Sequence, residues 1–167
     1  MNFFELAKNG TSQSVQAAIE RGANANARDK NGWTPLMWAA AFTQNPEVIT
    51  TLVKAGAVLE ARDKDGWSPL MGAAEHNKHP EVTAALLNAG ADVEARDNHG
   101  ETPLMYAVMY NANPDVVTTL LDAGADAKAT DNAGKTAFDY AQTRGALMGS
   151  EAYSKLEKAF KEGASQA

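Results

Sequence analysis

DKNGWTPLMWAAAFTQNPEVITTLVKAGAVLEAR, Asp29 to Arg62, decides how the rest of the chain is read, because the next stretch of equal length nearly repeats it. Asp63 to Arg96, DKDGWSPLMGAAEHNKHPEVTAALLNAGADVEAR, keeps 19 of the 34 positions, and a third copy, Asp97 to Thr130, follows without a gap. Gly32, Gly66, Gly100 and Gly134 recur at that same interval, as do Gly22, Gly56, Gly90 and Gly124. A fixed period of this length is the mark of stacked units, none of which buries its apolar face alone.

Each unit reads as hairpin, helix, turn, helix. Asn31-Gly32, Asp65-Gly66 and His99-Gly100 place glycine where a turn needs positive φ, between short extended arms. Thr34-Pro35, Ser68-Pro69 and Thr102-Pro103 then supply a hydroxyl at the N-cap and a proline at the first helical position. The first helix puts Leu36, Ala39 and Ala40 on one face. Asn45-Pro46, His79-Pro80 and Asn113-Pro114 start a second helix, with an acid in its first turn. In it Val48, Leu52 and Val53, and their counterparts, form the expected buried stripe. Gly56, Gly90 and Gly124 end it.

The pattern D-x-x-G-x-T-P-L, then A-A, then V-x-x-L-L-x-x-G-A-D closely resembles the ankyrin repeat, over almost the whole chain. Two features depart from the family. Met37, Met71 and Met105 stand where a histidine usually bonds the threonine hydroxyl, so apolar packing is expected to replace that bond. One extra residue and Asn-Pro or His-Pro replace the usual Gly-His between the helices. The resemblance implies an all-α repeat solenoid, a stack of helix-turn-helix units with projecting β-hairpin loops, whose hairpin tips and first helices form a concave face that grips protein partners.

The sequence predicts a single domain, residues 1–167. Residues 1–28 read as an N-terminal capping unit with a shorter inter-helix turn at Asn9-Gly10. Units 29–62, 63–96 and 97–130 are full repeats, and 131–167 is a C-terminal capping unit. The last unit loses the repeat phase after Gly145 and rebuilds its second helix from Ser150, with Tyr153, Leu156 and Phe160 facing inward. The net charge of −6 and pI near 5.0 repel phosphate backbones and anionic lipid, so neither nucleic acid nor a membrane is an expected partner. No stretch approaches the ~18 apolar residues of a span, and Met1 to Glu5 is interrupted too early for a secretory leader. A cytoplasmic monomer is expected.

With no cysteine, thiol catalysis and thiolate metal sites are absent. His76, His79 and His99 are the only possible catalytic bases, and none sits in a nucleophile motif. Asp29, Asp63, Asp97 and Asp131 recur at one turn and read as turn-forming residues, with Arg28, Arg62 and Arg96 beside them as an alternating charge ladder. Glu75, His76 and His79, with His99, make only a weak zinc constellation. No catalytic residue, metal or cofactor is expected.

What varies between units marks the surface free to meet something else. One first-helix slot holds Trp38, Gly72, Tyr106 and Tyr140. The slot four residues on holds Phe42, His76, Tyr110 and Arg144, and the one before that holds Ala41, Glu75, Met109 and Thr143. The hairpin slot adds Trp33, Trp67, Glu101 and Lys135. The expected partner-binding residues are Trp33, Trp38, Phe42, Trp67, His76, Glu101, Tyr106, Met109 and Tyr110, because aromatics concentrate at binding surfaces. Phe42 and Tyr110, at helix ends, are expected to be the most exposed, while Trp38 and Tyr106 could instead pack between repeats. The expected function is non-catalytic binding of a protein. A structural or engineered scaffold and an enzyme with an unrecognised site stay open as alternatives.

Overall fold

A computed structural model describes residues 2–111 and 113–163. Met1, Ala112 and residues 164–167, which include the first and last residues of the two expected capping units, lie outside the described residues. Among those described there are ten helices: α1 Phe3–Asn9, α2 Ser12–Glu20, α3 Pro35–Phe42, α4 Pro46–Lys54, α5 Pro69–His76, α6 Pro80–Asn88, α7 Pro103–Tyr110, α8 Pro114–Asp122, α9 Ala137–Thr143 and α10 Glu151–Glu162. The odd-numbered helices stack on one another in order, and so do the even-numbered ones. The result is an all-helical repeat stack in two layers, with the core between them and between successive units.

Local chemistry starts and stops the helices where the sequence places the signals. The hydroxyls of Thr34, Ser68 and Thr102 accept from the backbone N–H of Met37, Met71 and Met105 at 3.3, 3.3 and 3.4 Å. The methionine sulfurs accept in return from the N–H of the capping residue, at 3.4, 3.5 and 3.5 Å. The expected purely apolar role of these methionines is therefore corrected, since each thioether closes a capping box as well as packing. At the far end Gly56 and Gly90 take φ of 87° and 101°, the left-handed conformation that ends α4 and α6.

The buried stripe of the second helices differs by one position from the expected one. Val48, Ile49 and Leu52 are fully buried in α4, as are Val116, Val117 and Leu120 in α8. Val53, Leu87 and Leu121 only pack against the core's edge, because the outer layer has a neighbour on one side alone. In α6 the position of Ile49 and Val117 is Thr83, fully buried, and its hydroxyl has no hydrogen-bond partner. A buried hydroxyl without a partner is costly. Thr83→Val is expected to stabilise the protein by about 1–2 kcal/mol, read as a rise in the denaturation midpoint.

Between units the stack is tied at intervals of one repeat. Arg28 donates to the carbonyls of Gly32 and Arg62, Arg62 to those of Gly66 and Arg96, and Arg96 to those of Gly100 and Thr130. The expected Asp–Arg charge ladder is thus not formed. Among the described residues these arginines make no ion pair with the turn aspartates, whose oxygens accept instead from the N–H groups of their own loops and from neighbouring aromatic side chains. Asn77, in the turn between α5 and α6, donates to the carbonyls of Ala40 and Thr43 at 2.9 and 2.8 Å. Asn111 does the same to Ala74 and Asn77, at 2.7 and 2.9 Å.

The projecting loops are tighter than β-hairpins. The Asp29 N–H bonds the Trp33 carbonyl and the Gly32 N–H bonds the Asp29 carbonyl, both at 3.0 Å. Among the described residues there is no strand, only an isolated antiparallel bridge between Thr130 and Thr136. The reason is length: the residue after Trp33 already caps α3, so each arm ends before a ladder can grow.

Candidate protein-binding face

The face begins with the four turn aspartates. One oxygen of Asp29 accepts the N–H groups of Asn31 and Trp33 at 2.8 and 2.9 Å, and Asp63, Asp97 and Asp131 hold their loops the same way. Burial pushes the Asp29 carboxyl up, but the N–H groups of Trp33 and Asn31 and the Trp38 indole outweigh it and leave it below the usual range. The second oxygen reaches the aromatic slot of the first helix. It accepts from the Trp38 indole in the second unit (3.0 Å), the Tyr106 hydroxyl in the fourth (2.8 Å) and the Tyr140 hydroxyl in the fifth (2.5 Å).

The third unit has Gly72 in that slot, and its aspartate takes a donor from next door. The Trp33 indole crosses from the preceding loop to Asp63 at 2.9 Å. Trp67 in turn donates to the Tyr106 hydroxyl at 2.8 Å. Burial, with the Asp97 and Glu101 acceptors beside it, holds the Tyr106 hydroxyl far above its usual pKa, so it stays a donor. Trp33, Trp38, Trp67 and Tyr106 are therefore hydrogen-bonded parts of the loop framework as well as apolar surface.

Around that framework the rings form a continuous band across three units. Trp33 lies 5.0 Å from Trp38, 6.4 Å from Phe42 and 6.3 Å from Trp67 between ring centroids. Phe42 stacks on His76 at 5.5 Å, and Trp67 lies 6.0 Å from His76 and 4.9 Å from Tyr106, which leads to Tyr110 at 6.1 Å. Phe42 is 38% and Tyr110 49% exposed, as their place at the helix ends predicts. His76 is also exposed, and Trp33, Trp38, Trp67 and Glu101 are half-buried.

Tyr106 and Met109 depart from the expected surface, at 5% and 7% exposed. In α7 every residue from Pro103 to Met109 is buried, because a helix apolar all round sits between α5 and α9 with α8 behind it. Tyr106 joins the band from beneath, against Trp67 and Tyr110, while Met109 belongs to the core.

Lys8 was not singled out by its residue type, yet its ammonium lies 4.9 Å from the Phe42 ring centre and 5.6 Å from that of Trp38. The shorter turn of the first unit hides it from the period, since Asn9, the last residue of α1, holds the helix-end place that Phe42 holds in α3. At the other end the Arg144 guanidinium lies 4.9 Å over Tyr110. The loops also enclose a groove of about 330 Å³ between Trp33, Trp38, Phe42 and Asp63, with Lys64 and Asp65 at its rim. Among the described residues no group of three metal-ligating side chains stands together, and no helix is long and apolar enough to cross a membrane.

A family model for ankyrin repeats matches residues 3–97, 41–131 and 78–149, three overlapping stretches that together span most of the chain. The chain belongs to the ankyrin-repeat family. A search of curated proteins finds no match. Ankyrin repeats are in general protein–protein interaction modules and are typically non-catalytic. In this ankyrin array the aromatic band lies on the layer of first helices and loops, while a second groove, of about 430 Å³, lies between α4 and α6 with Val53 and Ala85 in it and Lys54 and Asn88 beside them.

Proposed function

We propose that this chain is a non-catalytic ankyrin-repeat domain that binds a protein partner through its first helices and loop tips. Residues 1–28 and 131–167 close the stack as capping units around three full repeats, and the domain acts as a monomer. The observation that carries the reading is the band of rings from Trp33 to Tyr110, anchored by hydrogen bonds beneath and open to solvent at Phe42, His76 and Tyr110. Rigid aromatic anchors contribute the most energy at interfaces, and those held in place before binding lose the least entropy. The acidic surface disfavours nucleic acid and anionic membranes.

The test is capture of a partner from cell extract, followed by affinity measurements with single variants. Phe42→Ala and Tyr110→Ala are each expected to weaken binding by roughly 1–3 kcal/mol with the melting temperature within a few degrees of the parent. Trp38→Ala and Tyr106→Ala should weaken binding and also destabilise, since each removes a hydrogen bond to a turn aspartate. Lys54→Ala and Asn88→Ala should change little. The apolar groove between α4 and α6 favours a second reading, in which the partner sits on the other layer. Loss of binding in Lys54→Ala and Asn88→Ala with normal binding by Phe42→Ala and Tyr110→Ala would establish that one instead.

A further inference from the structure

The groove of about 330 Å³ between the second and third loops is walled by two kinds of group. Trp33, Trp38 and Phe42 form one side, with ring centres 5.0, 5.6 and 6.4 Å apart. Both indole N–H groups are already spent, on Asp63 at 2.9 Å and on Asp29 at 3.0 Å, so these rings offer the groove π-density and no donor. The third loop forms the other side. Its Lys64 ammonium turns away and donates to the Lys30 carbonyl at 2.9 Å. Its Asp65 is exposed, and among the described residues the carboxylate accepts no hydrogen bond and joins no ion pair. Other rings of the face already carry a cation of the chain: Lys8 stands at Phe42 and Trp38, Arg144 at Tyr110 and Lys135 at Tyr140. Among the described residues Trp33 carries none.

We infer that the partner lays an arginine in this groove, with its guanidinium stacked on Trp33 and its N–H fork on the Asp65 carboxylate. This rests on the proposed reading of that face as the protein-binding one. The side chain that fits must bring positive charge for the rings and donors for the carboxylate. A guanidinium brings both in one plane, stacking by its face and bonding by its edge. An ammonium is less suited, since its three donors need acceptors on several sides and the loop supplies one free carboxylate. A proline-rich segment, another guest of aromatic grooves, presents carbonyls for which neither indole has an N–H left. The net charge of −6 draws a basic segment to the domain, and the groove fixes where its arginine lands.

The probe is the peptide acetyl-Arg-Gly-Arg-Gly-Arg-amide, titrated into isotopically labelled protein while the indole N–H resonances of its three tryptophans are followed. Trp33 and Trp38 are expected to shift along one saturation curve, and Trp67 least. Asp65→Asn is expected to weaken the peptide at least roughly tenfold. Asp115→Asn removes the same charge from an exposed place on α8 and should leave the affinity unchanged. Asn31 holds the place of Asp65 in the preceding loop, so Asp65→Asn should keep the turn and the melting temperature of the parent. The lysine peptide should bind more weakly than the arginine one. No binding to the parent, largest shifts at Trp67, equal weakening by both variants, or tighter binding of the matching glutamate peptide overturns the inference. A captured partner that is lost in Phe42→Ala but unaffected by Asp65→Asn also overturns the arginine while leaving the face as the interface. A partner lost only in Lys54→Ala and Asn88→Ala overturns the face itself.

Discussion

Deleting residues 131–167 is expected to leave a chain that aggregates or melts far below the full-length protein. Leu104 in α7 and Leu120 in α8 are fully buried, and α9 and α10 are the elements packed on the outer side of those helices. Phe138, 4.9 Å from Phe160 between ring centres, and the fully buried Leu156 belong to the same core. In a nearest-neighbour stack the lost unit takes with it its own contribution and one interface. Re-exposing each buried leucine costs about 1.5–3 kcal/mol, so the loss is a large part of the ~5–15 kcal/mol that holds a domain together. Light scattering and thermal denaturation check this. A monomeric product with an unchanged melting temperature would contradict the capping role of the last unit.

The second large effect is expected at Asn77. Its side chain is 2% exposed and makes three bonds: two to carbonyls of the preceding unit and one from the His79 N–H, at 2.9 Å. Asn77→Ala leaves these groups buried without partners, at about 1–3 kcal/mol for each that water cannot reach, and a total near ~3 kcal/mol is expected. Asn77→Asp should be worse at neutral pH, because a buried carboxylate then faces the carbonyls of Ala40 and Thr43. Denaturant unfolding measures both. A loss below ~0.5 kcal/mol in Asn77→Ala, the size of an ordinary surface change, would mean that these bonds do not tie the units together.

The helices were legible because their signals are local: a hydroxyl and a proline begin the first helix of each full repeat, and a glycine in left-handed conformation ends each second one. The period then implied the stack. Asn77 and Asn111 were not legible, since their partners are backbone carbonyls of the preceding unit, which carry no residue-type signature. The arginine ties were misread for the same reason. Formal charge pointed Arg28, Arg62 and Arg96 to the aspartates, while geometry gave them carbonyls.

Within the proposed binding face, position along the first helix predicted exposure better than residue type did. Phe42 and Tyr110 end their helices and are exposed, while Tyr106 and Met109, equally apolar, lie one turn or less back and are covered. The hydrogen bonds from Trp33 to Asp63 and from Trp67 to Tyr106 cross between units, so a single unit read alone does not contain them. Gly72 was the visible clue, because it leaves Asp63 without the ring its own helix would have supplied.

Hydroxyl-radical footprinting of the chain with and without its captured partner tests the central claim most directly, because it reads side-chain exposure residue by residue. Val58 and Met148, 53% and 59% exposed and off the aromatic band, serve as internal references. Binding through the proposed face predicts that Phe42 and Tyr110 lose reactivity on complex formation while Val58 and Met148 keep theirs. Unchanged reactivity at Phe42 and Tyr110, with protection of Val53 and its neighbours in α4 and α6, would contradict it.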